Sequence, residues 1–218
     1  MDAIDTAEVG GLIVRVVYDD SPSNPREDDN LSVIYGQHRR YTIGDGEPPA
    51  DELRALNRGG IRLLARYLRL CKGALAITGV GMYDHSGVSY YPVEVGSRGT
   101  HAFDSAGWDS GTVGYAYVTK ARADEMGSPY DSLDRQMAAE IAEYSAWANG
   151  EVYGYEVIRP CADAHHAEDG DDLAEIADCP HSDTLDSCWG FIGESEYAMA
   201  EGKSSAYYLA AHPEEVTA

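Results

Sequence analysis

Runs of apolar and β-branched residues divide the chain into short segments, each of which predicts a strand or a helix. Four such runs predict strands, at residues 10–18, 31–36, 112–119 and 151–158. The run at 74–95 is broken by Asp84, His85, Ser86 and Gly87, which predicts two strands joined by a tight turn. A short strand is also expected at 187–192.

Helical spacing of apolar residues predicts three helices. Leu133, Met137, Ile141 and Tyr144 fall on one face of residues 131–150, the clearest helical pattern in the chain. A second helix is expected from about residue 51 to 70, with an interruption at Gly59 and Gly60. A third begins near Ser195, which is expected to cap it. Because strands and helices do not alternate regularly, the predicted class is α+β, with a mixed or antiparallel sheet and two or three packed helices.

The 218 residues are expected to form a single domain, residues 1–218, with an acidic insert at 160–185. Apolar residues make up 44% of the chain, which is enough for a core. No apolar run is long enough to span a membrane, and the acidic N-terminus lacks the features of a secretory signal. Four cysteines are too few for a disulfide scaffold, so we expect a soluble protein of a reducing cytoplasm, without a membrane partner.

Charge is distributed unevenly along a chain whose net charge is −22. Residues 15–72 carry ten basic and nine acidic side chains, whereas residues 73–218 carry six and twenty-six. Two explanations stay open: adaptation to a salty cytoplasm, or a negative surface that repels nucleic acid and attracts proteins that bind it. The asymmetry favours a directed negative face, so no direct contact with nucleic acid is expected.

A basic stripe stands out within the first half of the chain. Arg54, Arg58, Arg62 and Arg66 recur every four residues along the predicted helix. In a basic protein this pattern would indicate a phosphate-binding ridge. In this acidic chain we expect the arginines to pair with the protein's own carboxylates.

An ordered set of short segments resembles a family of uncharacterised proteins from phages and mobile elements. The set comprises NPREDDNL, HRRYTIGD, YDHSGVSY, GWDSGTVGYAYVTK, EVYGYEVI and DSCWGFIGE, and it touches most of residues 10–210. Members of the family carry similar Asn-Pro-Arg, His-x-Arg-Tyr-x-x-Gly-Asp, His-Ser-Gly, Trp-Asp-Ser-Gly and Asp-Ser-Cys-Trp-Gly-Phe segments. This chain differs in the insert at 160–185 and in the spacing around REDDNL. The resemblance implies a phage-type origin, and no mechanism.

Candidate catalytic residues lie at predicted turns and strand ends. His38, His85 and Asp109 could converge with a nucleophile as a hydrolase site, but no Gly-x-Ser-x-Gly elbow, Walker loop or His-Glu-x-x-His motif is present. Turn and packing roles are therefore favoured, and no residue is assigned as catalytic. In the turn Trp108–Gly111 we expect Asp109 to accept backbone N–H groups and Gly111 to adopt positive φ.

The insert contains the best candidate metal site. Cys161, His165, Cys179 and His181 could supply four thiolate and imidazole ligands to zinc. Their spacing does not match a standard zinc finger, so a loop without metal remains the favoured alternative and no other cofactor is expected. Cys71 and Cys188 are expected in the core.

The favoured function is that of a non-enzymatic accessory protein that inhibits a host defence or replication protein. Its acidic face, mainly residues 163–201, would occupy the basic nucleic-acid-binding groove of that protein in the host cytoplasm. The side chains expected to stand in for phosphates are Asp169, Asp171, Asp172, Glu175, Asp178 and Asp183. The alternatives are a small hydrolase or metal-dependent enzyme, and a structural or virion-associated protein with a halophile-adapted surface.

Overall fold

A computed structural model describes residues 3–161 and 172–213. The strands are β1 Asp5–Val9, β2 Leu12–Tyr18, β3 Val33–Gly36, β4 Ala74–Asp84, β5 Val88–Val93, β6 Ser110–Thr119, β7 Val152–Arg159 and β8 Asp183–Ile192. The α-helices are α1 Ala50–Tyr67, α2 Lys120–Glu125, α3 Leu133–Ala148, α4 Leu173–Ala177 and α5 Ser195–Ala211. Two antiparallel four-stranded sheets with helices confirm the predicted α+β class.

The chain divides into two compact units, each with its own sheet and core. Unit 1 comprises residues 1–23 and 150–218, and unit 2 comprises residues 24–149. The single domain expected over residues 1–218 stays a prediction. No helix among the described residues is long and apolar enough to cross a membrane.

Unit 1 is built on the sheet β1-β2-β7-β8. Alternate residues of β2 point to opposite faces, so Val14 and Val16 pack with Met199 of α5 whereas Ile13 packs with Ala177 of α4. Because both faces of β2 are covered, its sequence is mostly apolar rather than alternating, and the exception, Arg15, pairs with Glu156. Gly10 and Gly11, at φ 58° and 79°, form the turn that joins β1 to β2.

Unit 2 is built on the sheet β3-β6-β4-β5, with α1 against one face and α3 against the other. In β6, Tyr115 and Tyr117 pack with Leu64 and Leu68 of the α1 region, whereas Ala116 and Val118 belong to the core cluster with α3. The four residues predicted to share one face of α3, Leu133, Met137, Ile141 and Tyr144, are all buried.

The interruption of α1 and the start of α5 test two local predictions. Gly59 and Gly60 leave helical geometry and kink α1, as their sequence predicts, and the helix then continues into a π-helical turn, Leu68–Lys72. The expectation that Ser195 caps α5 is wrong, because Glu194 is the capping position and no side chain bonds to the helix start. The strand β1 has no counterpart among the predicted elements.

Candidate functional site

Negative charge is concentrated in one structural unit. Unit 1 carries 21 acidic and 3 basic side chains, whereas unit 2 carries 17 acidic and 13 basic side chains. The two parts of unit 1 lie at opposite ends of the sequence and are joined through the pairing of β2 with β7. The described residues hold 14 of these acidic and all 3 basic side chains, so folding brings acidic segments from both ends of the sequence into one body with few basic residues.

The acidic residues predicted to bind a partner are only partly free to do so. Asp169 and Asp171 lie outside the described residues. Asp172, Glu175, Asp178 and Asp183 are all exposed, on α4 or just beside it and at the start of β8. Asp178 forms an ion pair with Arg15, and Asp183 lies 3.7 Å from Arg159. Among these four, Glu175 and the helix-capping Asp172 form no ion pair with a cation of the described residues.

Exposed aromatic side chains share unit 1 with the carboxylates, a feature that the sequence analysis missed. Tyr197 and Tyr208 lie with Glu201 along one stripe of α5, since positions 4 and 11 residues apart fall on one helix face. Tyr197 is 64% exposed and Tyr207, beside the stripe, is 66% exposed. Trp189 on β8 is also exposed. Tyrosine and tryptophan are enriched at protein interfaces, where charge alone gives little affinity.

The weak catalytic candidates are neighbours in unit 2. His85 follows β4 and its Nδ1 lies 3.5 Å from Oδ2 of Asp109. Asp109 and His38 both line a depression of about 360 Å³, together with Asp84 and Trp108. Sequence spacing could not show this, because the residues come from three separate loops.

No nucleophile completes a hydrolytic arrangement within the described residues. The one hydroxyl in the depression, that of Ser110, donates to Oδ2 of Asp104 and accepts the backbone N–H of His101. His38 stacks on Tyr41, and its Nδ1 is a buried atom without a hydrogen-bond partner.

The turn before β6 is held by a residue that the sequence analysis did not single out. Asp104 accepts hydrogen bonds from the backbone N–H groups of Gly107, Trp108 and Asp109, and from the Ser110 hydroxyl. Desolvation raises the pKa of Asp104, but these hydrogen bonds outweigh it and lower the pKa below its usual value. The role expected of Asp109 is wrong for that reason, and the positive φ occurs at Gly107 rather than at Gly111.

Two members of the predicted zinc set come together. The sulfurs of Cys161 and Cys179 lie 3.3 Å apart, and Cys179 is buried. His165 lies outside the described residues, and no cluster of three or more candidate metal ligands occurs among the residues that the structure covers. The expectation that Cys71 and Cys188 are core residues is wrong, because both are exposed.

The arginines of α1 do not pair as expected. Arg54, Arg58, Arg62 and Arg66 are exposed, and so is Arg69 in the π-helical turn. None of the five forms an ion pair with a carboxylate in the part of the chain that the structure describes. The interpretation that the protein's own acids neutralise this stripe is therefore wrong.

Comparison of the chain with protein-family models, curated proteins and solved structures gives no match. Function is therefore inferred from the geometry and charge of each of the two units.

Proposed function

We propose that the chain is a non-enzymatic binding protein whose acidic unit 1 docks onto a basic surface of a protein partner. The observation that carries this proposal is the segregation of charge, with 21 acidic against 3 basic side chains in unit 1. A surface of that composition repels nucleic acid and steers basic proteins toward it.

The exposed aromatic residues favour a specific interface over the alternative that the charge of unit 1 only keeps molecules of the protein apart. Tyr197 and Tyr208 flank Glu201 on α5, so apolar area and negative charge alternate on one helix face. Interfaces obtain most of their affinity from a few such aromatic anchors, while the surrounding charges set orientation and association rate.

The finer proposal is that the partner's basic surface is a nucleic-acid-binding groove of a host defence or replication protein. Exposed carboxylates such as Glu175 would occupy the positions of phosphates in that groove. The resemblance to phage and mobile-element proteins supplies the reason for a host target.

A binding titration tests the proposal. The chain is added to a labelled basic protein that binds DNA without regard to sequence, and the affinity is measured. Glu175→Gln, Glu196→Gln and Glu201→Gln together remove three exposed carboxylates of unit 1. Glu47→Gln, Glu94→Gln and Asp134→Asn make the same change of charge on unit 2. We expect the first set to weaken binding at least tenfold and the second by less than threefold.

A third variant separates a specific interface from simple attraction between opposite charges. Tyr197→Ala leaves the charge unchanged and removes an exposed ring from α5. We expect it to weaken binding about tenfold, since truncating an interface aromatic commonly costs more than about 1 kcal/mol. Equal effects of both carboxylate sets, with no effect of Tyr197→Ala, would contradict the proposal.

Circular dichroism across KCl concentrations tests the alternative of a structural protein with a halophile-adapted surface. Folding at low salt fits a functional surface, because the self-repulsion of unit 1 is then tolerated without screening. A fold that appears only in molar KCl would assign the acidity to salt adaptation.

A hydrolase is the second candidate, and the 3.5 Å contact of His85 with Asp109 beside the depression lined by His38 favours it. The test is turnover of small activated esters and phosphoesters by the native protein and by His85→Ala. Turnover lost in His85→Ala would establish it, and equal background rates would exclude these residues as a hydrolytic site for those substrates.

A further inference from the structure

The part of the chain that follows the first turn of α1 has no acidic residue, although acidic residues are abundant in the rest of the chain. Residues 53–83 include six basic residues and no Asp or Glu, whereas 38 of the 218 residues of the whole chain are acidic. The basic residues are Arg54, Arg58, Arg62, Arg66, Arg69 and Lys72. Negative charge is thus missing where positive charge is densest.

Some cations of unit 2 are paired with carboxylates. Arg26 pairs with Asp45 and Glu140, and Arg122 pairs with Asp29 and Glu125. Lys72, at the end of the π-helical turn, lies 3.2 Å from Asp51. Five arginines of this segment are exposed and form no ion pair with a carboxylate of the described residues; we call Arg54, Arg58, Arg62, Arg66 and Arg69 the arginine ridge.

The fold holds the arginine ridge at the surface. Leu64, Ala65 and Leu68 fix the inner face of this segment against the sheet, so the arginines at intervening positions point to solvent. On each side of the Gly59–Gly60 kink, a four-residue step advances about 6 Å along the helix axis. Because Tyr67 donates a hydrogen bond to Asp51, 16 residues earlier, α1 turns back at Gly59–Gly60 and carries the arginines on two neighbouring arms.

A depression of about 300 Å³ lies beside two arginines of the ridge. Arg54 and Arg58 line it, together with Leu63 and Tyr67. Asp51 also lines it, but its carboxylate accepts a hydrogen bond from the Tyr67 hydroxyl and pairs with Lys72. These contacts lower the pKa of Asp51 to about 2, and Lys72 balances the charge of this carboxylate.

We propose that the arginine ridge of α1 binds the phosphodiester backbone of a nucleic acid, without regard to base sequence. Exposed guanidinium groups that form no ion pair with a described carboxylate attract the phosphates of a nucleic-acid strand, and guanidinium binds phosphate bidentately. This site is distinct from the acidic surface of unit 1 and does not depend on the function proposed for it. The earlier expectation of no nucleic-acid contact came from the net charge, but salt screens charges beyond about 8 Å, so the side chains nearest the ligand matter more.

Fluorescence anisotropy of a labelled 20-base-pair duplex, and of a labelled single strand of equal length, tests the proposal between 50 and 200 mM KCl. The ridge variant carries Arg54→Gln, Arg58→Gln and Arg66→Gln. The control variant carries Arg39→Gln, Arg98→Gln and Arg135→Gln, which remove three exposed, unpaired arginines elsewhere in unit 2. Both variants have the same net charge, and circular dichroism verifies that each is folded.

We expect the native chain to bind, with affinity that falls steeply as salt increases. The ridge variant should lose at least tenfold in affinity for the duplex at 100 mM KCl, and its salt slope should fall by about 3, since each phosphate contact contributes roughly 0.9. The control variant should lose less than threefold.

Three results would overturn the proposal. They are no binding of either probe by the folded native chain at 50 mM KCl, equal losses in both variants, and self-association that the ridge substitutions abolish. Self-association, measured by light scattering, would indicate that the ridge binds carboxylates of a second copy of the chain instead of phosphates. The unit 1 carboxylate variants described above should leave duplex binding intact or strengthen it, which separates failure of this site from failure of the acidic surface.

Discussion

The hydroxyl of Tyr115 donates a 2.8 Å hydrogen bond to Oε2 of Glu52, joining the centre of a β-sheet to the first turn of α1. Glu52 is fully buried, and its other oxygen accepts a hydrogen bond of 3.1 Å from the Tyr117 hydroxyl. Lys72 lies 3.8 Å from the same oxygen. A buried carboxylate is tolerated because its charge is partnered and both of its oxygens accept hydrogen bonds.

Replacing Glu52 with Ala should therefore destabilise unit 2 strongly. The change leaves the hydroxyls of Tyr115 and Tyr117 buried without an acceptor, and each unsatisfied group costs about 1–3 kcal/mol. We expect a loss of about 3 kcal/mol or more in urea unfolding. Tyr117→Phe, which keeps the Tyr115 hydrogen bond, should lose about 1 kcal/mol. A urea midpoint for Glu52→Ala equal to that of the native protein would show that this hydrogen-bond network does not hold α1 to the sheet.

Glycine at position 202 allows α5 to lie close to the sheet of unit 1. A Cβ added there would lie 2.6 Å from Cγ1 of Val14 and 3.0 Å from the ring of Tyr155. Although alanine is the better helix former, Gly202→Ala should destabilise the protein by about 1–3 kcal/mol through overpacking. Ser204→Ala, at an exposed position of the same helix, is the matched control and should change the urea midpoint little. Stabilisation by Gly202→Ala would place α5 farther from β2 than described.

The sulfurs of Cys161 and Cys179 lie 3.3 Å apart, and Cys179 is buried. Two of the four predicted zinc ligands are therefore neighbours, so zinc uptake directly tests the predicted site. We expect the reduced protein to take up one equivalent of zinc, measured by competition with a chromogenic chelator. Cys161→Ser and Cys179→Ser should lose this uptake.

Cys188→Ser is the control for the zinc experiment, because Cys188 is an exposed cysteine of the same unit. His165→Ala and His181→Ala test whether the remaining predicted ligands take part. No uptake by the fully reduced native protein would exclude the metal. Mild oxidation would then be expected to join Cys161 and Cys179 as a disulfide that closes the segment between them.

The sequence predicts helices and strands well where the apolar residues follow a single period, either helical or alternating. The face of α3 containing Met137 and Ile141 and the kink at Gly59–Gly60 could be located because each depends on neighbours within a few residues. β1 was missed because Thr6, Ala7 and Glu8 lack a clear alternation, and the strand depends on pairing with β2.

The candidate sites could be predicted only in part, because they depend on contacts between distant residues. Asp104 looks like any loop aspartate until the backbone of Trp108 and Asp109 folds around it. The arginine stripe was recognised from its spacing, but its lack of partners depends on where every carboxylate lies. Composition gives the net charge of the chain. Only the pairing of β2 with β7 shows that most of this negative charge belongs to one unit.

Buried tyrosines should make the fold sensitive to alkaline pH. Desolvation, together with the nearby carboxylate of Asp186, raises the pKa of Tyr155 to about 12, and its hydroxyl lies 3.1 Å from Oδ2 of Asp186. Burial likewise raises the pKa of Tyr115 and Tyr117, whose hydroxyls bond to Glu52. The ordinary tyrosine pKa in an unfolded chain is about 10.

The sign of the pH dependence follows from these shifts. A group with a raised pKa in the folded state binds its proton more tightly there, so its contribution is fully present below about pH 10 and is lost as pH rises toward about 12. We expect stability to fall across that window, with unfolding by circular dichroism accompanied by a rise in tyrosinate absorbance. Tyr155→Phe should weaken the pH dependence of unit 1, whereas Tyr207→Phe, at an exposed ring, should leave it unchanged. Full ionisation of the tyrosines near pH 10 in the folded protein would contradict the buried hydrogen bonds to Glu52 and Asp186.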